Sequence, residues 1–378
     1  MLPLVLALFM TAADQAPRRP TPAPPAPRPT FFTSTLPPGE IRNKQAVLET
    51  TAGTIVLDLL ADAAPTHVAH FITRAREGAY DGTTFHRVIA MGIIQGGDPL
   101  SKDPAQSARY GQGGLGVLRF EPNGEKHTRG AVSAVLVPGN RDSAGSQFFI
   151  TITDQPALDG QYTVFARVAE GIGVAQKIST VAAVDTVPAE RIEIRTATIR
   201  EKPAPAPEPF ADASVEELGR HRAIIETAMG NITFEFFTDR APNHVRQFLR
   251  LAAAGVYDGT AFHRVAPGFV VQGGHLPTRR EPLEQRQQSY VRPLPPEFNA
   301  TVHERGVVSM ARGEDPASAT SSFFIVLAPA PGLDGQYTAF GRVADGLDVV
   351  AAIEAAPRDG ETPVTRIEVT RVRVVRID

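Results

Sequence analysis

Two arginines stand in the same short sequence, FHRV, and are the side chains with the clearest potential for chemistry. They are Arg87 and Arg264, which lie 177 residues apart. A guanidinium group stays protonated and presents a rigid fork of hydrogen-bond donors, so it can stabilise an acceptor that develops during a reaction. A single arginine is more often structural, and the surroundings of these two must therefore decide between the two interpretations.

Metal binding is the second chemistry that the side chains allow, and their pattern argues against it. His67 and His70 are spaced i, i+3, as metal ligands on a helix can be; His244 repeats the first of them, but Gln247 replaces the second. The chain has no cysteine, which excludes a thiolate metal site, a disulfide and a cysteine nucleophile. We therefore expect no metal centre.

Composition places the chain among ordinary globular proteins. Of its 378 residues, 42% are hydrophobic and 21% are charged, which fits neither a disordered nor a membrane-embedded protein. The formal net charge of -3 argues against binding of nucleic acid or anionic lipid through bulk charge.

Proline-rich segments divide the chain. Residues 17–43 and 201–220 read as extended, semi-rigid linkers, because they offer too little apolar surface to fold. The opening run MLPLVLALFM is too short for a membrane span of ~20 residues but fits the apolar part of a signal peptide. We therefore expect a signal peptide over 1–16 and globular domains over 44–200 and 221–378.

The two globular segments are copies of one another. GAYDGTTFHRV in the first returns as GVYDGTAFHRV in the second, and LDGQYTVFARV from Leu158 returns as LDGQYTAFGRV from Leu333. Solenoid repeats are ~20–50 residues long, so a repeat of this length indicates two tandem domains.

Each copy reads mostly as short β-strands. In the second copy, alternating residues over 223–227 and 232–236 flank a turn at Met229-Gly230-Asn231, which predicts a β-hairpin. Many short strands with few helices are typical of a closed β-barrel capped at its ends.

Two helices are expected in each copy. Pro65 and Pro242 suit the first position of a helix, where the missing amide hydrogen would have no partner in any case. The apolar residues that follow them recur with helical spacing: Val68, Phe71, Ile72 and Ala75 in the first copy, and Val245, Phe248, Leu249 and Ala252 in the second. A shorter helix is expected after Gly171 and after Gly346.

Several ordered segments in both halves resemble the cyclophilin family of peptidyl-prolyl cis–trans isomerases. In the second half these are FHRVAPGFVVQGG from Phe262, SMAR from Ser309, FFI from Phe323 and the LDGQYTAFGRV segment; in the first they are FHRVIAMGIIQGGD from Phe85, SQFFI from Ser146 and the LDGQYTVFARV segment. The resemblance covers both globular halves. It implies, in each half, an eight-stranded antiparallel β-barrel capped by two α-helices, with the active site on the outer face.

The reaction that this resemblance implies explains the residue types. An X–Pro bond rotates slowly because rotation breaks amide resonance, with a barrier of ~18–20 kcal/mol. No bond to another atom forms or breaks, so neither nucleophile, metal nor cofactor is required. In the twisted amide the nitrogen regains a lone pair, and a donor aimed at it binds the transition state selectively.

The resemblance assigns the catalytic role to Arg264 and Arg87 and a chiefly structural role to the histidines before them. It also implies substrate-binding residues, with apolar walls for the proline ring and polar groups for the peptide backbone. In the second half these are Phe269, Val270, Gln272, Ala311, Arg312, Phe324, Leu333 and Tyr337, and in the first they are Ile93, Gln95, Gln147, Phe149, Leu158 and Tyr162.

The halves depart from the family pattern differently. In the first, Gly92 stands at the position of the pocket phenylalanine and Met91 at that of a family glycine. In the second, Ser322 stands where the first has Gln147, and Arg312 occupies a position that is often asparagine. We expect the second domain to be the more active one and the first to be weaker or a binding module.

The favoured interpretation is an exported, periplasmic isomerase acting on unfolded or proline-containing polypeptides, and cytoplasmic if the leading segment is not a signal. Two alternatives stay open: a non-catalytic proline-peptide binding module or chaperone, and a structural envelope protein that presents two barrels on a proline stalk. Neither nucleic acid, a cofactor nor a membrane span is expected.

Overall fold

The computed structural model describes residues 30–377, and the chain there is mainly β with few helices. The predicted signal peptide and most of the first linker lie outside the described residues and stay predictions. Within residues 30–377, no helix is long and apolar enough to cross a membrane.

One antiparallel sheet of eight strands forms the first half. Its strands are β1 (Lys44–Thr50), β2 (Gly53–Leu59), β3 (Arg87–Ile89), β4 (Ile93–Gly96), β5 (Ala131–Ala134), β6 (Phe148–Thr151), β7 (Val164–Glu170) and β10 (Ile194–Glu201). They are hydrogen-bonded in the order β10-β1-β2-β7-β5-β6-β4-β3. A separate hairpin joins β8 (Ala183–Val184) to β9 (Val187–Pro188).

The second half repeats this sheet. Its strands are β11 (His221–Thr227), β12 (Gly230–Phe236), β13 (Thr260–Phe262), β14 (Arg264–Ala266), β15 (Val270–Gly273), β16 (Val307–Met310), β17 (Phe323–Val326), β18 (Ala339–Asp345) and β21 (Ile367–Arg376). Their order is β13-β21-β11-β12-β18-β16-β17-β15-β14. The second small hairpin joins β19 (Arg358–Asp359) to β20 (Thr362–Pro363).

Each sheet curls until its two ends meet. In the second half β13 pairs with β21 at one end of the sheet, while β14, two residues further along the chain, pairs with β15 at the other. In the first half the Thr84–Glu193 bridge takes the place of the β13 pairing. The predicted fold class, two tandem β-barrels, is therefore confirmed, with closure that is only approximate and a ninth short strand in the second sheet.

The four predicted helices are present. The longer ones are α2 (Pro65–Arg76) and α5 (Pro242–Ala253), each with proline in its first turn, and all eight apolar residues predicted to face inward are buried. The shorter ones are α3 (Ile172–Ser179) and α7 (Leu347–Ala355). The short helices α1 (Pro38–Ile41) and α4 (Val215–Gly219) begin 177 residues apart, each just before the first strand of its half, and α6 (Gln285–Tyr290) lies between β15 and β16.

Glycine is required where α3 begins. Gly171 has a positive φ of 85°, and a Cβ atom there would lie 2.2 Å from the carbonyl oxygen of Thr54. Gly346, at the start of α7, meets Asn231 in the same way. The end of one strand and the start of a helix can pass this close only without a side chain.

Aromatic rings fill both barrels in the same arrangement. Phe71 on α2 stacks on Tyr80 at 4.6 Å between ring centroids, and in the second barrel Phe248 stacks on Tyr257 at 4.9 Å. Each pair packs against a phenylalanine of the central strands, Phe148 or Phe323. The repeated core fixes each long helix against its sheet.

A glutamate caps the start of each long helix, and this accounts for His67 and His244, two of the histidines considered as metal ligands. Glu121 accepts hydrogen bonds from the backbone amides of Thr66 and His67, both at 2.9 Å, and contacts Nδ1 of His67 at 2.5 Å. Glu297 contacts the amide and ring of His244 likewise. Burial alone would raise the pKa of Glu121, but these hydrogen bonds outweigh it and lower the pKa to about 2.

Candidate active site

A small cavity opens on the outer face of the second barrel, with a volume of about 150 Å³. The structure brings together around it all nine residues that the sequence predicts for this half: Arg264, Phe269, Val270, Gln272, Ala311, Arg312, Phe324, Leu333 and Tyr337. The polar groups and the apolar walls thus share a single site.

Strand register places the central residues side by side. Arg264 on β14 is opposite Gln272 on β15, and Gln272 is opposite Phe324 on β17. Directly paired residues project from the same face of a sheet. The guanidinium, the amide and the phenyl ring therefore form one row across three neighbouring strands.

The apolar wall is a small cluster separate from the barrel interior. Phe324 is buried and meets Tyr337 edge to face, with the ring centroids 5.5 Å apart. Leu333 is at the limit of burial, whereas the Phe269 ring is 40% exposed at the rim. An exposed phenyl rim over a buried phenyl floor suits a ligand with apolar surface.

Arg312 was expected to offer a hydrogen-bond donor to the substrate, but in the structure its guanidinium makes other contacts. Its guanidinium lies 4.7 Å from the centre of the Tyr337 ring, a cation–π contact. Its Nη1 donates to the carbonyl oxygen of Gly313 at 2.8 Å, and its Nη2 to that of Gln336 at 3.2 Å. Arg312 therefore supports the tyrosine wall and has part of its donor capacity already engaged.

A Ser–His–Asp network lies beneath the second pocket, with its histidine and serine buried and its aspartate partly exposed, and its three residues were not among the predicted ones. His303 meets Asp334 through Nδ1 at 2.9 Å and Ser309 through Nε2 at 2.9 Å, and its ring stacks on Phe324. The Ser309 hydroxyl is fully buried, so it supports the phenyl floor and does not meet a substrate as a nucleophile would.

The first barrel repeats this network. His127 lies between Asp159 at 3.1 Å and Ser133 at 3.0 Å. Burial lowers the pKa of His127, which the hydrogen bond to Asp159 opposes. Alignment of the two halves would have revealed the network, because all three residue types recur at offsets of 175 or 176 residues.

In the first barrel a chain of hydrogen bonds holds the arginine. Arg87 donates from Nη1 to Oε1 of Gln95 at 3.2 Å, and Nε2 of Gln95 donates to Oε1 of Gln147 at 3.0 Å. Gln147 in turn donates to the carbonyl oxygen of Gly113 at 2.7 Å. We call Arg87, Gln95 and Gln147 the glutamine relay.

In the second barrel the arginine has another partner. Arg264 donates from Nε and Nη2 to the two carboxylate oxygens of Glu361, at 2.6 and 3.2 Å. Glu361 lies between β19 and β20 and was not among the predicted site residues. Its counterpart in the first half is Thr186, so the repeat gave no signal for it.

The apolar side of the first site is only partly built. Phe149 is buried and meets Tyr162 edge to face at 5.3 Å, as Phe324 meets Tyr337. Ile93 and Leu158 are half-buried at the positions of Val270 and Leu333. The predicted residues of the first half thus keep the floor of the pocket.

The rim of the first site differs from that of the second. Gly92 and Phe269 have equivalent backbone positions, since their carbonyls accept from Ile152 and Leu327, both at 2.8 Å. A Cβ atom on Gly92 would come within 2.9 Å of the Ile89 side chain. Met91 is 43% exposed, so it does not replace the missing phenyl ring by burial against the floor.

The histidines before the arginines are not placed for proton transfer. His86 is buried and His263 half-buried, and burial lowers the pKa of both. Within residues 30–377, neither ring nitrogen of His86 has a hydrogen-bond partner. In that same range, no group of three or more acidic, histidine or cysteine side chains is arranged to hold a metal ion.

Known proteins resemble each half separately. The sequence model for "Cyclophilin type peptidyl-prolyl cis-trans isomerase/CLD" matches residues 46–199 and again 222–374. A peptidyl-prolyl cis-trans isomerase-like 1 of Neurospora crassa is 39% identical over 154 residues, which are 40% of this chain and 93% of that protein. A peptidyl-prolyl cis-trans isomerase of Helicobacter pylori is 41% identical over 138 residues, 35% of this chain and 78% of that protein.

Among solved structures, a cyclophilin type peptidyl-prolyl cis-trans isomerase of Cryptosporidium parvum is 30% identical, with a TM-score of 0.36. The match covers 40% of this chain and 96% of that one. The two matches to the family model together span most of the chain, and the relatives named above are isomerases. The chain therefore belongs to the cyclophilin-type peptidyl-prolyl cis–trans isomerase family, as two tandem domains of that family.

Proposed function

We propose that the second barrel accelerates X–Pro rotation with Arg264 as the donor to the twisted amide. One observation carries the proposal: a guanidinium and a phenyl-lined hollow share a single cavity of about 150 Å³. The proline ring would lie between Phe269 and Phe324, and the peptide backbone would run past Gln272.

The chemistry follows from the change in the amide nitrogen. In the planar ground state its lone pair is delocalised, and in the twisted state it accepts a hydrogen bond. A guanidinium donor at that atom therefore stabilises the transition state more than the substrate, which raises kcat. Removal of one such preorganised donor lowers rates by about 10²–10³ in other enzymes.

The proposed substrates are unfolded or proline-containing polypeptides. A proline ring offers only apolar surface, and the cavity presents a matching apolar wall. The half-buried amide of Gln272 offers both donor and acceptor to a peptide backbone. Selection would thus rest on the ring and the backbone more than on net charge.

For the first barrel we propose slower turnover. Its arginine is held by the glutamine relay, but the position of the rim phenylalanine is occupied by Gly92. The alternative function, a proline-peptide binding module without turnover, stays open for this barrel, and the intact relay favours residual catalysis.

Proline-limited refolding of a client protein tests the proposal. The full chain at substoichiometric concentration should accelerate the slow phase in proportion to its concentration, and the Arg87→Ala, Arg264→Ala double variant should not. A matched control is the Arg195→Ala, Arg371→Ala double variant, which removes one exposed arginine from each barrel outside the sites. Stoichiometric protection without turnover would instead support the binding module.

A further inference from the structure

The two arginines occupy the same backbone position but are held from opposite sides. Arg87 on β3 is held through Gln95 on the paired strand β4, and Gln95 is held by Gln147. Arg264 on β14 is held by the hairpin at the other edge of its strand, through a bidentate ion pair with Glu361. The side chain that orients the guanidinium has therefore changed between the two copies.

The hairpins that carry these positions are equivalent. The amide of Val88 donates to the carbonyl of Thr186 at 2.7 Å, and the amide of Val265 donates to that of Glu361 at 2.7 Å. Glu361 thus stands where the first barrel has Thr186, whose hydroxyl carries no charge to pair with a guanidinium. The ion pair is a property of the second copy alone.

The glutamine relay is broken in the second barrel at its inner end. Ser322, immediately before β17, stands where the first barrel has Gln147 immediately before β6. A serine side chain has no amide group that could hydrogen-bond to Gln272 as Gln147 does to Gln95. In agreement, Gln272 is half-buried whereas Gln95 is buried. The second barrel therefore lacks the counterpart of Gln147 and has Glu361 as the partner of its arginine instead.

We propose that Glu361 is the positioning residue of the second site and replaces the glutamine relay. By engaging Nε and Nη2, it fixes the plane of the guanidinium and leaves Nη1 to face the substrate amide. A carboxylate suits this task because its two oxygens match the fork of an arginine edge. The inference rests on the proposed function of Arg264.

The size of the effect follows from the exposure of the pair. The side chains of Arg264 and Glu361 are 39% and 50% exposed, so water and salt screen them. Exposed pairs of this kind shift equilibria by about two- to fivefold. We therefore expect loss of Glu361 to lower kcat of the second barrel about two- to fivefold, with KM nearly unchanged, because Glu361 does not line the cavity.

The test uses the full chain with Arg87→Ala, so that turnover reports the second barrel. Isomerisation of a proline-containing peptide is measured with Glu361→Thr, which installs the residue of the first barrel, and with Glu361→Gln, which keeps the shape. Both should lower kcat. Asp359→Asn is the matched control, because it removes a charge from the same exposed hairpin, and it should change nothing.

Two further measurements separate positioning from a general structural effect. Adding Ser322→Gln to the Glu361→Thr chain supplies the missing amide and should recover part of the lost kcat. Raising the salt concentration should slow the Arg87→Ala chain but not its Glu361→Thr derivative. Equal or higher kcat in Glu361→Thr and Glu361→Gln would overturn the inference, since Glu361 would then be neutral or would restrain Arg264.

Failure of the proposed function itself gives a different result. The Arg87→Ala, Arg264→Ala double variant sets the uncatalysed floor. If the Arg87→Ala chain lies at that floor, the second barrel does not use Arg264 for turnover, and both the proposed function and the inference are wrong. If it lies above the floor and Glu361 substitutions leave kcat unchanged, only the inference is wrong.

Discussion

Arg264 faces Gln272 across the β14–β15 pair just as Arg87 faces Gln95 across β3–β4, yet only Arg87 donates to its glutamine. Equal backbone register has therefore not produced equal side-chain contacts. The difference arises from residues outside the row, Ser322 and Glu361. The first barrel has the glutamine relay but Gly92 in place of the rim phenylalanine. The second barrel has the rim phenylalanine, Phe269, but Glu361 in place of the relay.

Rebuilding the rim of the first site should raise its activity. Ile89→Ala together with Gly92→Phe copies the second barrel, which has Ala266 and Phe269, and removes the side chain that a Cβ at position 92 would strike. A phenyl wall contributes about 1–2 kcal/mol to binding, which is roughly 5- to 30-fold in kcat/KM. The measurement is peptide isomerisation in the Arg264→Ala background.

The matched control for this rebuilding is Ile89→Ala alone, which should give no gain. An unchanged kcat/KM in a well-folded Ile89→Ala, Gly92→Phe chain would show that the rim does not limit the first site.

Removing the rim from the second site should have the opposite effect. Phe269→Gly opens the cavity to solvent but leaves Arg264 and its partner in place, so KM should rise more than kcat falls. Kinetics in the Arg87→Ala background measure this division. A fall in kcat at constant KM would instead mean that the ring acts on the arginine.

Stability should depend on pH through the glutamate that starts α2. The folded-state pKa of Glu121 is about 2, below the value of about 4.3 for an unfolded glutamate, so its stabilisation is present above pH 4.3 and is lost as the pH falls toward 2. Glu121→Gln should therefore destabilise the first barrel by about 1–2 kcal/mol at pH 7 and by much less at pH 2.5.

Denaturant unfolding at the two pH values measures this difference. Glu190→Gln, at an exposed position, is the control and should have no effect. A pH-independent loss in Glu121→Gln would mean that the carboxylate charge is not what stabilises the helix start.

The buried histidine beneath the second pocket should be structural. His303→Ala leaves the Ser309 hydroxyl without its partner and opens a hole under Phe324, which should cost about 2–4 kcal/mol. Chemical denaturation measures the loss, and the first barrel offers His127→Ala as its internal match. A loss under 1 kcal/mol in either barrel would contradict this role.

Much of the fold was predictable because it rests on local patterns that occur twice. Pro65 and Pro242 indicate where the long helices begin, and the spacing of apolar residues after them gives the buried face. The hairpin near Gly230 was predicted with the first strand ending correctly at Thr227 but with the second strand beginning two residues late, because Thr227 pairs with Gly230 and leaves only Ala228 and Met229 in the turn. A strand can continue through a glycine with positive φ, which sequence alone does not show.

The residues around the second cavity were predictable for a different reason: they lie in segments that match a family in order. Glu361 was not, because its contact joins Arg264 to a hairpin 97 residues away and has no copy in the first half. The engagement of Arg312 by Tyr337 and by backbone carbonyls was missed too. Such contacts depend on the tertiary fold, and from its residue type alone Arg312 was expected to have its donors available for substrate.

The central claim, that arginine accelerates rotation in this chain, is tested most directly by exchange spectroscopy on a proline-containing peptide. With catalytic amounts of the full chain, NMR exchange peaks between the cis and trans forms should appear. The Arg264→Ala variant should lose most of this exchange, and the Arg87→Ala, Arg264→Ala double variant should lose it about 10²–10³-fold. Exchange in the folded double variant equal to that of the unmodified chain would contradict the account.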